Sequence, residues 1–437
     1  MAKKAAKPLR WLRLDNAAKI FPATIRKNWS NVYRMSATLS DDVDTVILKS
    51  ALDIIVKRFP SIAARLRKGM FWYYLQQIEA APEISDEYSY PLVYMSKEEM
   101  GKCALRVIVY RDRIAVEFFH SLTDGTGALI FLKNLVAEYL ERRYRIKIPY
   151  KYEIINRKDP PAHEELEDCF PRYAGPVSAG RRETSAWHIH GEPTADGFLN
   201  LTCFMLPVKE ALEIAHAYNS TLTVFMGAVI MQALMNLQKE KNPDSRWQQR
   251  VKIMIAVNLR QLFPSSTLRN FSLYTIPEAD PRLGEYTLDE ICKIIKHKMG
   301  TEVTAKHMSR VIATNVNNER NPLVRLIPLP VKNAVMRAIY DRVGIKKSCL
   351  TLSNIGQVKI PEAMARYVRR FDFILGVQAE APYNCGMLSY GETIYINFIR
   401  SIKDAELERH FHAVLRGLGL HVTVESNRSG GEQTCIV

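Results

Sequence analysis

The chain has 437 residues, 47% of them hydrophobic and 24% charged. That balance excludes a disordered or fibrous polymer, and the length suits two domains or two halves fused into one enzyme. A formal net charge of +15, with a pI near 9.4, favours anionic partners: acidic lipid, an acidic carrier protein or a phosphate-bearing cofactor.

The basic residues are scattered. No run of five or more Lys or Arg, no zinc-finger spacing and no RNA-binding sheet motif is present, which argues against nucleic acid. Seven widely spaced cysteines (103, 169, 203, 292, 349, 385 and 435) with no CxxC argue against a disulfide framework or a structural zinc, and fit reduced thiols in a cytoplasmic protein.

Residues 1–21 are basic but lack the apolar core of a secretory signal. Residues 41–60 carry Val46, Leu48, Leu52, Ile55 and Val56 at helical spacing, with Asp41 or Asp42 as cap and Pro60 as stop. Residues 102–120 read as a β-hairpin turning at Arg111-Asp112-Arg113. From Thr126 the rhythm becomes helical through Leu129, Leu132, Leu135, Val136, Tyr139 and Leu140. Residues 144–196 are rich in Pro and Gly and include an acidic run, Glu164 to Asp168, the composition of a crossing linker. It divides the chain into a half at 1–175 and a half at 197–437.

The second half repeats the alternation. It has a strand at 197–207, a helix at 219–238 capped by Ser220 or Thr221, strands at 250–260, 348–356 and 392–400, and a closing helix at 404–420. The apolar run 222–237 is too short to span a bilayer and reads as a buried helix. Residues 321–344 mix basic and apolar residues at helical spacing. That pattern suits either a core-packed helix or a membrane-surface helix, and packing in the core is the favoured expectation. Neither a dinucleotide nor a P-loop glycine motif occurs. The terminal TCIV is not a prenylation box.

The stretch FFHSLTDGTGAL, 118–129, joins the hairpin to the following helix. Strand alternation places His120 on the same face as Ile114, Val116 and Phe118. A neutral imidazole is the side chain best matched to take a proton from a hydroxyl, amine or thiol near pH 7, provided one tautomer is held. Asp124 can hold it indirectly by pinning a loop through an arginine. Gly125 admits a close neighbour. The same residues also suit a plain strand end with Asp124 as a helix cap.

HSLTDG after such a strand resembles the motif of the acyltransferase superfamily with the chloramphenicol acetyltransferase fold. That superfamily includes condensation domains, alcohol acetyltransferases and polyketide-associated acyltransferases. VNLR with RNFS (257–260 and 269–272) resembles its arginine-bearing strand and loop, and LSNIG (352–356) its strand end beside the acyl site. Phe119 stands where condensation domains usually carry a first histidine, and the DFGWG motif of the plant branch is absent. The resemblance is therefore greatest to bacterial alcohol acetyltransferase-like proteins.

It implies an α/β fold of two sandwich halves with mixed sheets and a tunnel at their interface. His120 would be the base, Asp124 the structural partner of Arg260, and Gly125 a border of the pantetheine channel; Ser353 and Asn354 would be donors near the thioester oxygen. The implied co-substrate is acyl-CoA, or acyl-phosphopantetheine on an acidic carrier protein, and the acceptor is a small molecule. Neither a metal nor an integral membrane span is expected. One chain supplies both faces of such a site, so a monomer suffices. A carrier-dependent condensation enzyme and a non-catalytic acyl-CoA-binding module of the same fold are the alternatives.

Overall fold

The computed structural model describes residues 11–26, 29, 31–87, 90–178, 184–378 and 381–427. The basic stretch at 1–10 and the tail with Cys435 and TCIV lie outside them.

The first lobe is built on a five-stranded sheet. Its order is Val368–Ile374, Val32–Leu39, Arg113–Phe119, Leu105–Tyr110, Ile84–Asp86, antiparallel except for the last pair. The helices Thr45–Arg58 and Gly125–Tyr144 cover one face and bury Leu48, Leu52, Leu132 and Val136 against it. The first of these helices begins at Thr45. Asp44 caps it, accepting from Val46 and Ile47 N–H; the expected caps Asp41 and Asp42 lie outside the first turn. The hairpin turns on Arg111 and Asp112 alone, with Arg111 in the left-handed region (φ 51°). The strand ends at Phe119, so His120 opens the turn rather than closing the strand.

The second lobe is an eight-stranded mixed sheet in the order Ser272–Thr275, Val251–Asn258, Leu350–Gln357, Tyr383–Tyr390, Thr393–Arg400, Asn200–Pro207, Thr423–Ser426, with Glu278–Ala279 also pairing with Val251–Asn258. Leu350–Gln357 is parallel to both neighbours. The helix Leu222–Lys241, capped by Thr221, packs beneath this sheet between Leu288–Glu302 and Glu406–Gly417. It is almost wholly buried, as its unbroken apolar run requires.

The lobes are interlocked rather than tethered. Val368–Ile374, from the second half of the chain, is hydrogen-bonded to Val32–Leu39 in the first sheet. Gly386 lets the second sheet approach it: a Cβ there would lie 2.3 Å from Phe373 O. Residues 163–173 are also part of the packed structure. Glu165 forms a two-pronged ion pair with buried Arg58 at 2.6 and 2.8 Å, and Phe170 packs on Phe271.

No single helix among the described residues is long and apolar enough to cross a membrane.

Candidate active site

His120 lies where the lobes meet. Its backbone N–H donates to Asn31 O at 2.9 Å. Asn31, itself left-handed (φ 53°), also donates from its side chain to Phe21 O at 3.0 Å. That link fixes Phe21 flat against the imidazole, 4.3 Å between ring centroids and 16° between planes. Tyr33 closes the edge at 5.0 Å and 60°, and its hydroxyl donates to Thr123 O at 2.9 Å.

The imidazole Nδ1 lies 3.1 Å from Asn270 Oδ1. The amide nitrogen of Asn270 points the other way and donates to Asp15 Oδ2 at 3.2 Å, which assigns the orientation of the amide. An oxygen facing Nδ1 can only accept, so Nδ1 carries the proton and Nε2 keeps its lone pair. Burial lowers the His120 pKa below the ordinary imidazole value against the opposing pull of Asp124, Asn270 and Asp15. The ring is therefore neutral at pH 7. Asp15 is fully enclosed, and burial raises its carboxyl above the usual range despite the nearby Arg269. Either protonation state of Asp15 leaves a lone pair for the Asn270 donor.

Asp124 spends its two oxygens on two tasks. Oδ1 accepts from Gly127 N–H at 3.1 Å and caps the helix Gly125–Tyr144. Oδ2 accepts from Arg260 Nη1 at 2.7 Å and from Phe271 N–H at 2.8 Å. Cap and cross-lobe ion pair are thus compatible. Asp124 is buried and Arg260 largely so, where a charge must be paired and hydrogen-bonded. Arg260 follows the strand Val251–Asn258 and spends its other donors on Thr267 O at 3.1 and 2.9 Å and on Arg269 O at 2.6 Å. These carbonyls belong to the loop that delivers Asn270. A chain of contacts therefore runs from Asp124 through Arg260 to Asn270 and His120.

The other candidates divide. A Cβ on Gly125 would lie 2.5 Å from Ile355 Cδ1 and 3.5 Å from Phe373 Cζ, so the strand Leu350–Gln357 touches the motif there. Alternation along that strand puts Ser353 on the face of Ile355, toward the first-lobe core, and Asn354 on the face of Leu352, toward the second. Asn354 donates to Thr223 Oγ1 at 2.9 Å and accepts from Gly356 N–H at 2.8 Å. Through these two bonds its amide holds the strand end, with one N–H left over.

Sequence reasoning did not single out Asn270, Asp15, Phe21 or Gly127. Asn270 lies inside the RNFS loop used for the resemblance, but nothing in its spacing reveals a partner 150 residues away.

Six cysteines among the described residues are free thiols. Burial pushes Cys103 up to about 11 and Cys349 up to about 12, so both are protonated at pH 7. No cluster of metal-ligating side chains occurs among the described residues. A cavity of about 560 Å³, lined by Arg34, Ser36, Arg113, Leu201, Arg370 and Asp372 among others, opens on the face of the first sheet opposite His120.

No family model and no curated protein sequence matches the chain. Solved structures do. Polyketide synthase associated protein 5 from Mycobacterium tuberculosis aligns at 12% identity over 93% of this chain and 97% of its own, with a TM-score of 0.59. F. sporotrichioides TRI101 complexed with coenzyme A and T-2 aligns at 10% identity over 96% and 100%, with a TM-score of 0.62. The first condensation domain of the CDA synthetase aligns at 12% identity over 94% and 96%, with a TM-score of 0.57. Matching nearly end to end at such low identity, the chain has the two-lobed α/β fold shared by these three structures.

Proposed function

We propose that this protein moves an acyl group from a thioester, acyl-CoA, to a hydroxyl or amine acceptor, with His120 Nε2 as general base. The carrying observation is a neutral imidazole whose Nδ1 is held by Asn270 at 3.1 Å, leaving Nε2 as its basic atom.

In the forward step the acceptor proton passes to Nε2 as its oxygen or nitrogen bonds to the thioester carbon, and the carbonyl π pair becomes an oxyanion. Collapse breaks the C–S bond, and the imidazolium returns its proton to the leaving sulfur. Every proton and electron pair is accounted for without a covalent enzyme intermediate. Ser353 is our candidate donor to the oxyanion, because its face of the strand turns toward the motif. Stabilising that charge is usually the largest catalytic term. Asp124 and Arg260 act as positioning residues, and Gly125 lets the strand with Ser353 close on the motif. The +15 chain attracts the phosphates of coenzyme A, or an acidic carrier bearing phosphopantetheine.

Mass spectrometry of the protein incubated with acyl-CoAs, or with an acylated carrier protein, against mixed alcohols and amines tests this reading. The expected product is an ester or amide with release of free thiol. His120→Ala is expected to lower the rate by about 10²–10⁴-fold while thermal unfolding stays close to that of the parent. A folded His120→Ala protein transferring at the full rate sinks the mechanism.

A further inference from the structure

The helix Leu329–Ile339 is amphipathic the wrong way round. Its Lys332 is 3% exposed while Val331, Val335 and Ile339, four residues apart on one stripe, are 53%, 47% and 59% exposed. The preceding short helix Pro322–Leu326 adds Leu323 and Leu326 at 76% and 70%. Lys332 is buried, and its polar neighbours on the helix also find partners on this side. Lys332 Nζ donates to Phe71 O at 3.0 Å and lies 3.4 Å from the centroid of Trp72. Asn333 donates to Tyr73 OH at 3.1 Å, and Arg337 Nε to Ala23 O at 3.2 Å. The expectation of core packing for this segment is therefore corrected: Leu329 is buried, but Val331, Val335 and Ile339 face out, while Lys332, Asn333 and Arg337 bond Phe71 O, the Tyr73 hydroxyl and Ala23 O on the other side.

Scattered exposed apolar residues are ordinary, but five exposed aliphatics between Leu323 and Ile339, on two consecutive helices, are a local concentration that calls for a partner. Charge indicates which. Residues 320–347 carry seven Lys or Arg and one acid, Asp341, which is paired with Arg26. Arg320, Arg325, Arg342 and Lys346 are exposed on the same stretch of chain. A second copy of this chain would bring two positive faces together. Protein interfaces are typically anchored by aromatic residues, whereas this patch is aliphatic with a basic surround, the composition of a helix lying in a lipid headgroup layer.

We propose that this face docks on an anionic lipid bilayer, with the aliphatic stripe in the headgroup–acyl boundary and the basic residues on lipid phosphates. Among the described residues no single helix is long and apolar enough to cross a bilayer, and the docking proposed here is on the bilayer surface. Arg337 ties the docking helix to Ala23 and Ile25, next to the short helix Ile20–Thr24 whose Phe21 stacks on His120. Docking therefore brings the bilayer up to the element that roofs the imidazole. Acyl transfer is not needed for this docking, and binding is measured without it.

The test is co-sedimentation of the full chain with vesicles of phosphatidylcholine alone and of phosphatidylglycerol and phosphatidylcholine in equal parts. Binding is expected to the anionic vesicles only and to weaken with salt. The double variant Leu326→Glu/Val335→Glu is expected to lower affinity by about tenfold or more, as is Arg325→Glu/Arg342→Glu. Val46→Glu, an exposed valine on the helix Thr45–Arg58, is expected to leave affinity unchanged. Failure to sediment with anionic vesicles, or sedimentation indifferent to both double variants, overturns the proposal. Self-association without vesicles that the same variants abolish would assign the face to a second copy and overturns it too.

Discussion

At His120 the orienting group is an amide rather than a carboxylate, and that choice has a measurable signature. A carboxylate bonded to Nδ1 would raise the imidazole pKa strongly, whereas Asn270 fixes the tautomer and contributes only a dipole. Burial is left as the dominant influence, and the His120 pKa falls below its ordinary value of about 6.5. Two consequences follow with definite sign. The acid limb of the kcat/KM profile, which reports the free enzyme's base, is expected below about 6.5; an acid limb at or above neutrality would refute the assignment. Stability moves in the same direction. Between the lowered folded pKa and the ordinary unfolded one, the unfolded chain binds more protons, so the His120 contribution is present above that window and is lost as pH falls through it. Asn270→Ala is expected to lower kcat through loss of the tautomer, with little change in KM for the acyl donor. Because Asn270 supports the protonated ring, the same variant also shifts the acid limb further down. A role in packing alone would leave the acid limb where it was.

Among the elements, those legible from sequence were the ones whose pattern had a single cause. The helices Thr45–Arg58, Gly125–Tyr144 and Leu222–Lys241 and the hairpin around Arg111 bury one face or all faces in apolar surroundings, and periodicity reads them directly. The strand Val32–Leu39 was not legible although it is paired on both sides in its sheet. Tyr33, Met35 and Ala37 face the core, while Arg34 and Ser36 are buried on the other face, Arg34 between Glu87 and Glu117. Burial of a polar face hides the contrast that marks a strand. Val368–Ile374 was equally hidden, since its partner Val32–Leu39 lies more than 300 residues away. The candidate site follows the same rule: the residues of HSLTDG are neighbours in sequence, whereas Asn270 and Asp15 reach His120 only through the tertiary fold. Gly127 is the element-scale residue that spacing missed. A Cβ there would lie 2.1 Å from Thr123 Oγ1 and 2.4 Å from Leu268 O, where the motif helix meets the loop carrying Asn270. Gly127→Ala is expected to destabilise by about 1–3 kcal/mol, overpacking outweighing the helix-propensity gain of about 1 kcal/mol. Gly101, in the helix Lys97–Lys102, has nothing within 4 Å of a Cβ, and Gly101→Ala is expected to stabilise by about 0.5–1 kcal/mol. Urea unfolding of the two variants compares them, and equal effects would remove the steric argument.

For the whole molecule, the question is what holds the two lobes together as one body around His120. The exchanged strand fixes their backbones, but the Asp124–Arg260 pair at 2.7 Å ties the seam to the chemistry, because Arg260 also holds the carbonyls of Thr267 and Arg269 on either side of the route to Asn270. Removing one buried partner strands the other. Arg260→Ala is expected to cost about 3–5 kcal/mol, somewhat offset by the Phe271 and Gly127 N–H groups still bonded to Asp124. Asp124→Ala loses the pair and the cap together. Acting as one unit, the two residues should be non-additive. The double variant is expected to unfold about 1–3 kcal/mol less easily than the sum of the singles implies. Its kcat should be no lower than that of the worse single variant, because the position of Asn270 is already lost when either member is gone. Strict additivity in both stability and kcat would mean that the lobes meet at His120 without depending on this pair, and that the exchanged strand alone sets the geometry of the site.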